Sequence, residues 1–151
     1  MKYPVAEGED DVDEKDVDPI ITQFEKAFEK QKPIIIFIYT DDMRKKYESK
    51  RKACEAYMND VLCDAKVAEQ LEKYVRIKIN YKKIEDDNKL KREFKLKKSA
   101  PYVAFYDFTG DQYSKTSSSD VNYIINKLKG CINTNDKEIK KLEKKAEREK
   151  D

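Results

Sequence analysis

At 151 residues the chain is long enough for one ordinary domain with its own core, and too short for two. Its 33 basic and 31 acidic residues nearly cancel to +2, which supplies no global basic field for nucleic acid, and no run reaches the roughly 18 apolar residues of a membrane span. Charged residues make up 42% and the apolar set 38%, but the apolar residues come in blocks, so a folded centre with charged ends is expected.

Residues 7–18, EGEDDVDEKDVD, hold eight acids against one lysine. Such a block repels itself and buries nothing, so residues 1–17 are predicted to be a flexible acidic arm. Asp18-Pro19 then predicts a helix start, Asp as cap and Pro in the first turn, with Ile20, Ile21, Phe24, Ala27 and Phe28 at helical spacing until Lys32-Pro33. The run from Pro33 to Tyr39 is short, continuous, β-branched and apolar, the pattern of a central strand covered on both faces.

Residues 41–52 carry six basic and three acidic side chains and predict a solvated loop or loose helical turn. A helix is expected next, with Ala53, Cys54, Tyr57, Met58, Val61 and Leu62 on one face, and Asp64 as cap of a short helix holding Val67, Ala68 and Leu71. Val75 to Asn80 alternates apolar and polar as a strand does, and residues 84–95 predict a helix with Ile84, Leu90 and Phe94 as its contacts. Pro101 to Phe108 reads as a strand, Thr109-Gly110-Asp111 as a hairpin turn, and Gln112 to Thr116 as the returning strand. Ser119-Asp120 caps a helix carrying Val121, Ile124, Ile125 and Leu128 up to Gly130. Asn135 to Lys150 is charge-laced, with Ile139, Leu142 and Ala146 as its apolar residues, and predicts a separate exposed helix or tail.

The three cysteines cannot form a full disulfide framework, which favours a reducing compartment. The N-terminal region is acidic and lacks an apolar signal core, so a soluble chain is expected, the cytoplasm favoured and a secreted form with its signal peptide removed left open. The chain lacks histidine, and no cysteine pair stands at short ligand spacing, so neither a metal site nor a cofactor is expected.

The element order, with Ala100-Pro101 opening the third strand and the segment Val61-Leu62-Cys63-Asp64-Ala65-Lys66-Val67 following the second helix, resembles the thioredoxin-like fold family. The resemblance covers about residues 18–132 and implies an α/β three-layer sandwich around a mixed sheet of four to five strands, flanked by the acidic arm 1–17 and the charged helix or tail 133–151. It also implies that the family's Cys-x-x-Cys motif falls on residues 51–54, so that Arg51 stands in place of the nucleophile and Cys54 in place of the second cysteine. Lys50 occupies the place of the usual tryptophan, and the connection from the first strand is about ten residues longer than in a plain thioredoxin.

Disulfide exchange needs an exposed thiolate at a helix N-terminus and a second thiol to resolve the mixed disulfide. Cys63 stands nine residues beyond Cys54, roughly 13 Å along a helix and outside the ~7 Å reach of a disulfide. The resemblance implies a cis Ala100-Pro101 bond and a main-chain peptide site at Ser99, Ala100 and Pro101 that needs no cysteine. The leading expectation is therefore a non-redox interaction or peptide-binding module with a protein or peptide partner. Two alternatives stand: a monothiol thiol-disulfide oxidoreductase using Cys54, with Lys50, Arg51 and Lys52 lowering its pKa, and a scaffold domain in a larger assembly.

Overall fold

The computed structural model describes residues 18–86, 88–97 and 99–149, so the acidic arm predicted for 1–17 lies outside the described residues. Helix α1 (Asp18–Lys30) ends where Gln31 takes a left-handed φ of 56°, and the chain passes through Pro33 into β1 (Ile34–Tyr39). A 3-10 turn (Lys45–Tyr47) leads into α2 (Glu48–Ala56), which continues as a π-helical segment (Tyr57–Leu62). Next come α3 (Ala65–Leu71), β2 (Val75–Asn80), α4 (Tyr81–Asp86), α5 (Asn88–Glu93), β3 (Tyr102–Tyr106), β4 (Gln112–Thr116) and α6 (Val121–Glu149).

The described strands form one mixed sheet in the order β2-β1-β3-β4. Strand β1 lies parallel to β2, with Ile34 opposite Val75, and antiparallel to β3, with Ile34 opposite Tyr106. Alternation along β1 divides the core in two. Ile34, Ile36 and Ile38 pack with Val75, Ile77, Ile79 and Ile20 of α1 on one face, while Ile35 and Phe37 pack with Val61, Leu71, Ile124 and Leu128 on the other. An apolar strand covered on both faces, as its continuous apolar run predicts, thus fixes a three-layer α/β/α sandwich.

Several local predictions correspond to direct contacts. Asp64 Oδ1 accepts from Lys66 N and Val67 N at 2.9 and 3.2 Å and caps α3. Gly110 takes φ 94° in the β3–β4 hairpin, where Asp107 Oδ1 gathers the amides of Thr109 and Asp111.

Four expectations need correction. The basic stretch 41–52 is more regular than a loop or loose helical turn, because α2 begins at Glu48, where an i,i+4 ion pair of Glu48 with Lys52 at 3.2 Å supports its first turn. The following helix widens to a π segment from Tyr57, which lets Tyr57, Val61 and Leu62 all reach the core. The helix expected to start at 84 begins earlier, at Tyr81, directly off β2, where Asn80 Oδ1 accepts the Lys82 amide at 3.1 Å.

Gly130, finally, does not end the last helix. Helix α6 runs through it unbroken, and a Cβ there would collide with the Tyr113 hydroxyl, so this glycine permits close approach to β4. The charged segment from Asn135 onward belongs to the same helix and is anchored at its start. Buried Asn135 accepts from the Phe108 amide at 2.7 Å and donates to the Gln31 carbonyl at 2.9 Å, tying α6 to the end of β3 and to the α1 terminus.

Candidate functional site

Helix α2 lies at the C-terminal end of β1 and has two unlike faces. At about 100° per residue, Ala53 and Ala56 point opposite to Arg51, Cys54 and Glu55. The first face lines a groove of about 610 Å³ shared with Tyr57, Ser99, Pro101 and Ser117, and the second lines a pocket of about 430 Å³ shared with Tyr39, Asp41 and Met58.

The groove is built from small side chains and a turn of main chain. The Ala100–Pro101 peptide is cis, and the loop leading to it is held from beneath. Tyr102 donates its hydroxyl to the Lys97 carbonyl at 2.9 Å and accepts the Lys97 amide at 2.6 Å, while the Tyr106 hydroxyl donates to the Phe94 carbonyl at 2.6 Å. Burial pushes the Tyr102 phenol up to about 12, so it stays a neutral two-way partner across the working pH range. The Ser99 amide donates to the Lys97 carbonyl at 3.0 Å, which makes Ser99 part of the loop's own bracing.

Cys54 sits on the other face, only 4% exposed, at the seventh residue of α2. Its Sγ accepts the Thr40 amide at 3.4 Å and so terminates the chain leaving β1. Burial raises its pKa above the ordinary thiol value, against the opposing pull of the Thr40 amide and the Lys50 charge. Arg51 is half-buried, and its Nη1 donates to the Asp42 carbonyl at 3.0 Å. One helical turn, Glu48 to Lys50, precedes it, so position 51 has none of the free amides that stabilise a thiolate at a helix start.

The structure therefore brings Ser99, Ala100 and Pro101 to one groove, and it brings Arg51 and Cys54 together in another pocket. None of the three cysteines is in a disulfide; Cys131, fully buried at the far side of the sheet, donates to the Tyr106 carbonyl at 3.5 Å. Sequence reasoning missed Ala53 and Ala56 as groove walls; their signal was two small residues three apart in a helix otherwise dense with charge. It also missed Tyr102 as the brace of the loop, because a strand tyrosine reads simply as core.

Sheet order, helix placement and the cis-proline loop together define the thioredoxin fold, and the chain has that fold. It is similar to oxidised thioredoxin O1 from Arabidopsis thaliana, with a TM-score of 0.53 and 13% identity over 80% of this chain and 96% of that one. It is also similar to a disulphide isomerase from Xylella fastidiosa Temecula1 (TM-score 0.52, 12% identity, 91% of this chain and 97% of that one). The DsbH oxidoreductase gives 0.51 and 14%, over 88% and 92% of the two chains. No protein-family model and no curated protein matches the chain. Among the described residues no helix is long and apolar enough to cross a membrane, and no cluster of metal-ligating side chains occurs.

Proposed function

We propose that this thioredoxin-fold chain is an interaction module that holds an extended peptide in the groove between α2 and the Ala100–Pro101 loop, without thiol chemistry. The observation that carries the reading is the orientation of α2: Ala53 and Ala56 face Pro101, whereas Cys54 lines the opposite pocket. A peptide lying along the loop pairs with the main chain of Ala100, since the Ser99 amide is already engaged. The alanines leave room for its side chains, and the hydroxyls of Ser117 and Ser119 on the far wall offer polar contacts.

The test is selection of linear peptides from a displayed library on the full chain, followed by affinity measurement on the variants. Ala56→Arg, an exposed substitution that fills the groove, is expected to abolish binding, and Cys54→Ala to leave it within about twofold. Binding lost on Cys54→Ala but kept on Ala56→Arg contradicts the reading.

A second reading is favoured by one observation: Cys54 lines a pocket and feels the charge of Lys50, as a monothiol oxidoreductase requires, and the similar solved structures are redox enzymes. On that reading Cys54 forms a mixed disulfide with glutathione or a partner thiol by displacing one sulfur of an existing disulfide as thiolate. Disulfide-reductase activity that disappears in Cys54→Ala supports it.

A further inference from the structure

The connection between β1 and α2 together with the first turns of α2, residues 41–52, carries six basic and three acidic side chains. Arg44 and Lys46 lie on the ring of Tyr47 at 5.0 and 5.1 Å from its centroid, and Lys50 lies 4.8 Å from the centroid of Tyr81. The two rings meet edge to face at 6.3 Å and join the connection to the start of α4. None of these residues lines the groove at Pro101.

Charge on this surface is unevenly neutralised. Asp42 takes Arg44 at 2.7 Å, and Glu48 takes Lys52 at 3.2 Å. Among the described residues, however, Lys45, Lys46, Lys50 and Lys82 have no carboxylate within ion-pair distance. Lys82 nonetheless stands close enough to the connection to help hold the Asp42 carboxyl down at about 2, after the larger effect of its hydrogen bonds with Arg44. Ammonium groups laid across aromatic rings have already lost part of their rotamer freedom, so an anion meeting them orders less side chain on binding.

We propose that Lys45, Lys46, Lys50 and Lys82, spaced by Tyr47 and Tyr81, form a docking surface for an acidic polypeptide segment of a partner protein. Charge complementarity selects the partner: four ammonium groups without a carboxylate in ion-pair distance among the described residues call for a run of Asp and Glu side chains. Single-stranded nucleic acid fits less well, because base stacking needs open ring faces. Tyr81 is 7% exposed and cations cover the face of Tyr47. An anionic membrane fits less well too, because Met43 is the one large apolar residue of the connection that is strongly exposed, at 77%, and stable membrane association needs more than one weak signal.

The test is fluorescence anisotropy of a labelled oligo-glutamate peptide titrated with the full chain at low ionic strength. The expected result is saturable binding that weakens as salt rises and falls by about tenfold or more in Lys46→Glu/Lys50→Glu. The control variant Lys144→Glu/Lys145→Glu changes net charge equally on an exposed stretch of α6 and is expected to bind within about twofold of the parent. Absence of binding, equal loss in both double variants, or tighter binding of a single-stranded oligonucleotide or of phosphatidylserine vesicles through Lys46 and Lys50 overturns the proposal.

Discussion

On one face of α2, Ala53 and Ala56 are exposed and bound a groove with Pro101; on the opposite face Cys54 is buried against the end of β1 and Arg51 is tied to the Asp42 carbonyl. A working redox helix presents its first thiol at the helix start and toward the cis-proline loop. Here the helix begins one turn earlier, so position 51 loses the helix-terminal field and Cys54 falls two turns inside. The difference between the faces teaches that in this chain the groove beside the cis-proline loop and the Cys54 sulfur lie on opposite sides of one helix.

Substitutions on the two faces are expected to separate stability from the proposed peptide binding. The largest effect is expected at Tyr57, which is 3% exposed and stacks on Phe37 at 5.8 Å: Tyr57→Ala is expected to lose about 3–5 kcal/mol in denaturant unfolding. Cys54→Ala leaves the Thr40 amide without its acceptor and is expected to lose about 1–2 kcal/mol with peptide binding unchanged. A Cys54→Ala variant as stable as the parent would remove the structural role assigned to this sulfur.

Smaller effects sharpen the same division. The Tyr57 hydroxyl is buried with no hydrogen-bond partner among the described residues, so Tyr57→Phe is expected to be neutral or to gain up to about 1 kcal/mol. A drop in peptide affinity with unchanged stability would instead place that hydroxyl on the ligand. Ala56→Arg, on the exposed face, is expected to stay within about 0.5 kcal/mol of the parent while abolishing binding.

A buried thiol also leaves a mark in alkaline solution. Cys131 is pushed from 9.0 up to about 12 by burial, so the folded state keeps a proton that the unfolded state releases, and stability falls as pH rises from about 9 to about 12. Removing this thiol in Cys131→Val is expected to flatten the slope by up to about 1.4 kcal/mol per pH unit, measured by urea unfolding across that window.

Much of the scaffold was legible in the sequence because local physics and tertiary context agree there. The run Ile34–Tyr39, the cap at Asp64, the hairpin glycine and β4 at Gln112–Thr116 each carry their own signal. The rest depends on neighbours that the sequence does not name. Gly130 reads as a helix stop until Tyr113 is seen against it, and Asn135 reads as polar surface until its two main-chain partners appear. Arg76 follows the polar phase of β2 and yet is 3% exposed, because this strand is covered on both faces. Of the candidate site, Arg51, Cys54 and Ser99–Pro101 were legible by their resemblance to the family. Which of them face one another was not, since the start of α2 is set by contacts among charged residues that periodicity does not register.

The central claim is that Cys54 belongs to the core and not to a reactive site. Iodoacetamide labelling of the folded chain at neutral pH, resolved by residue with mass spectrometry, tests it most directly. Half-buried Cys63 is expected to label first, with Cys54 and Cys131 labelling only as the chain unfolds in denaturant. Rapid labelling of Cys54 in the folded chain, at or above the rate of a free thiol, would contradict the account and return the chain to thiol-disulfide chemistry.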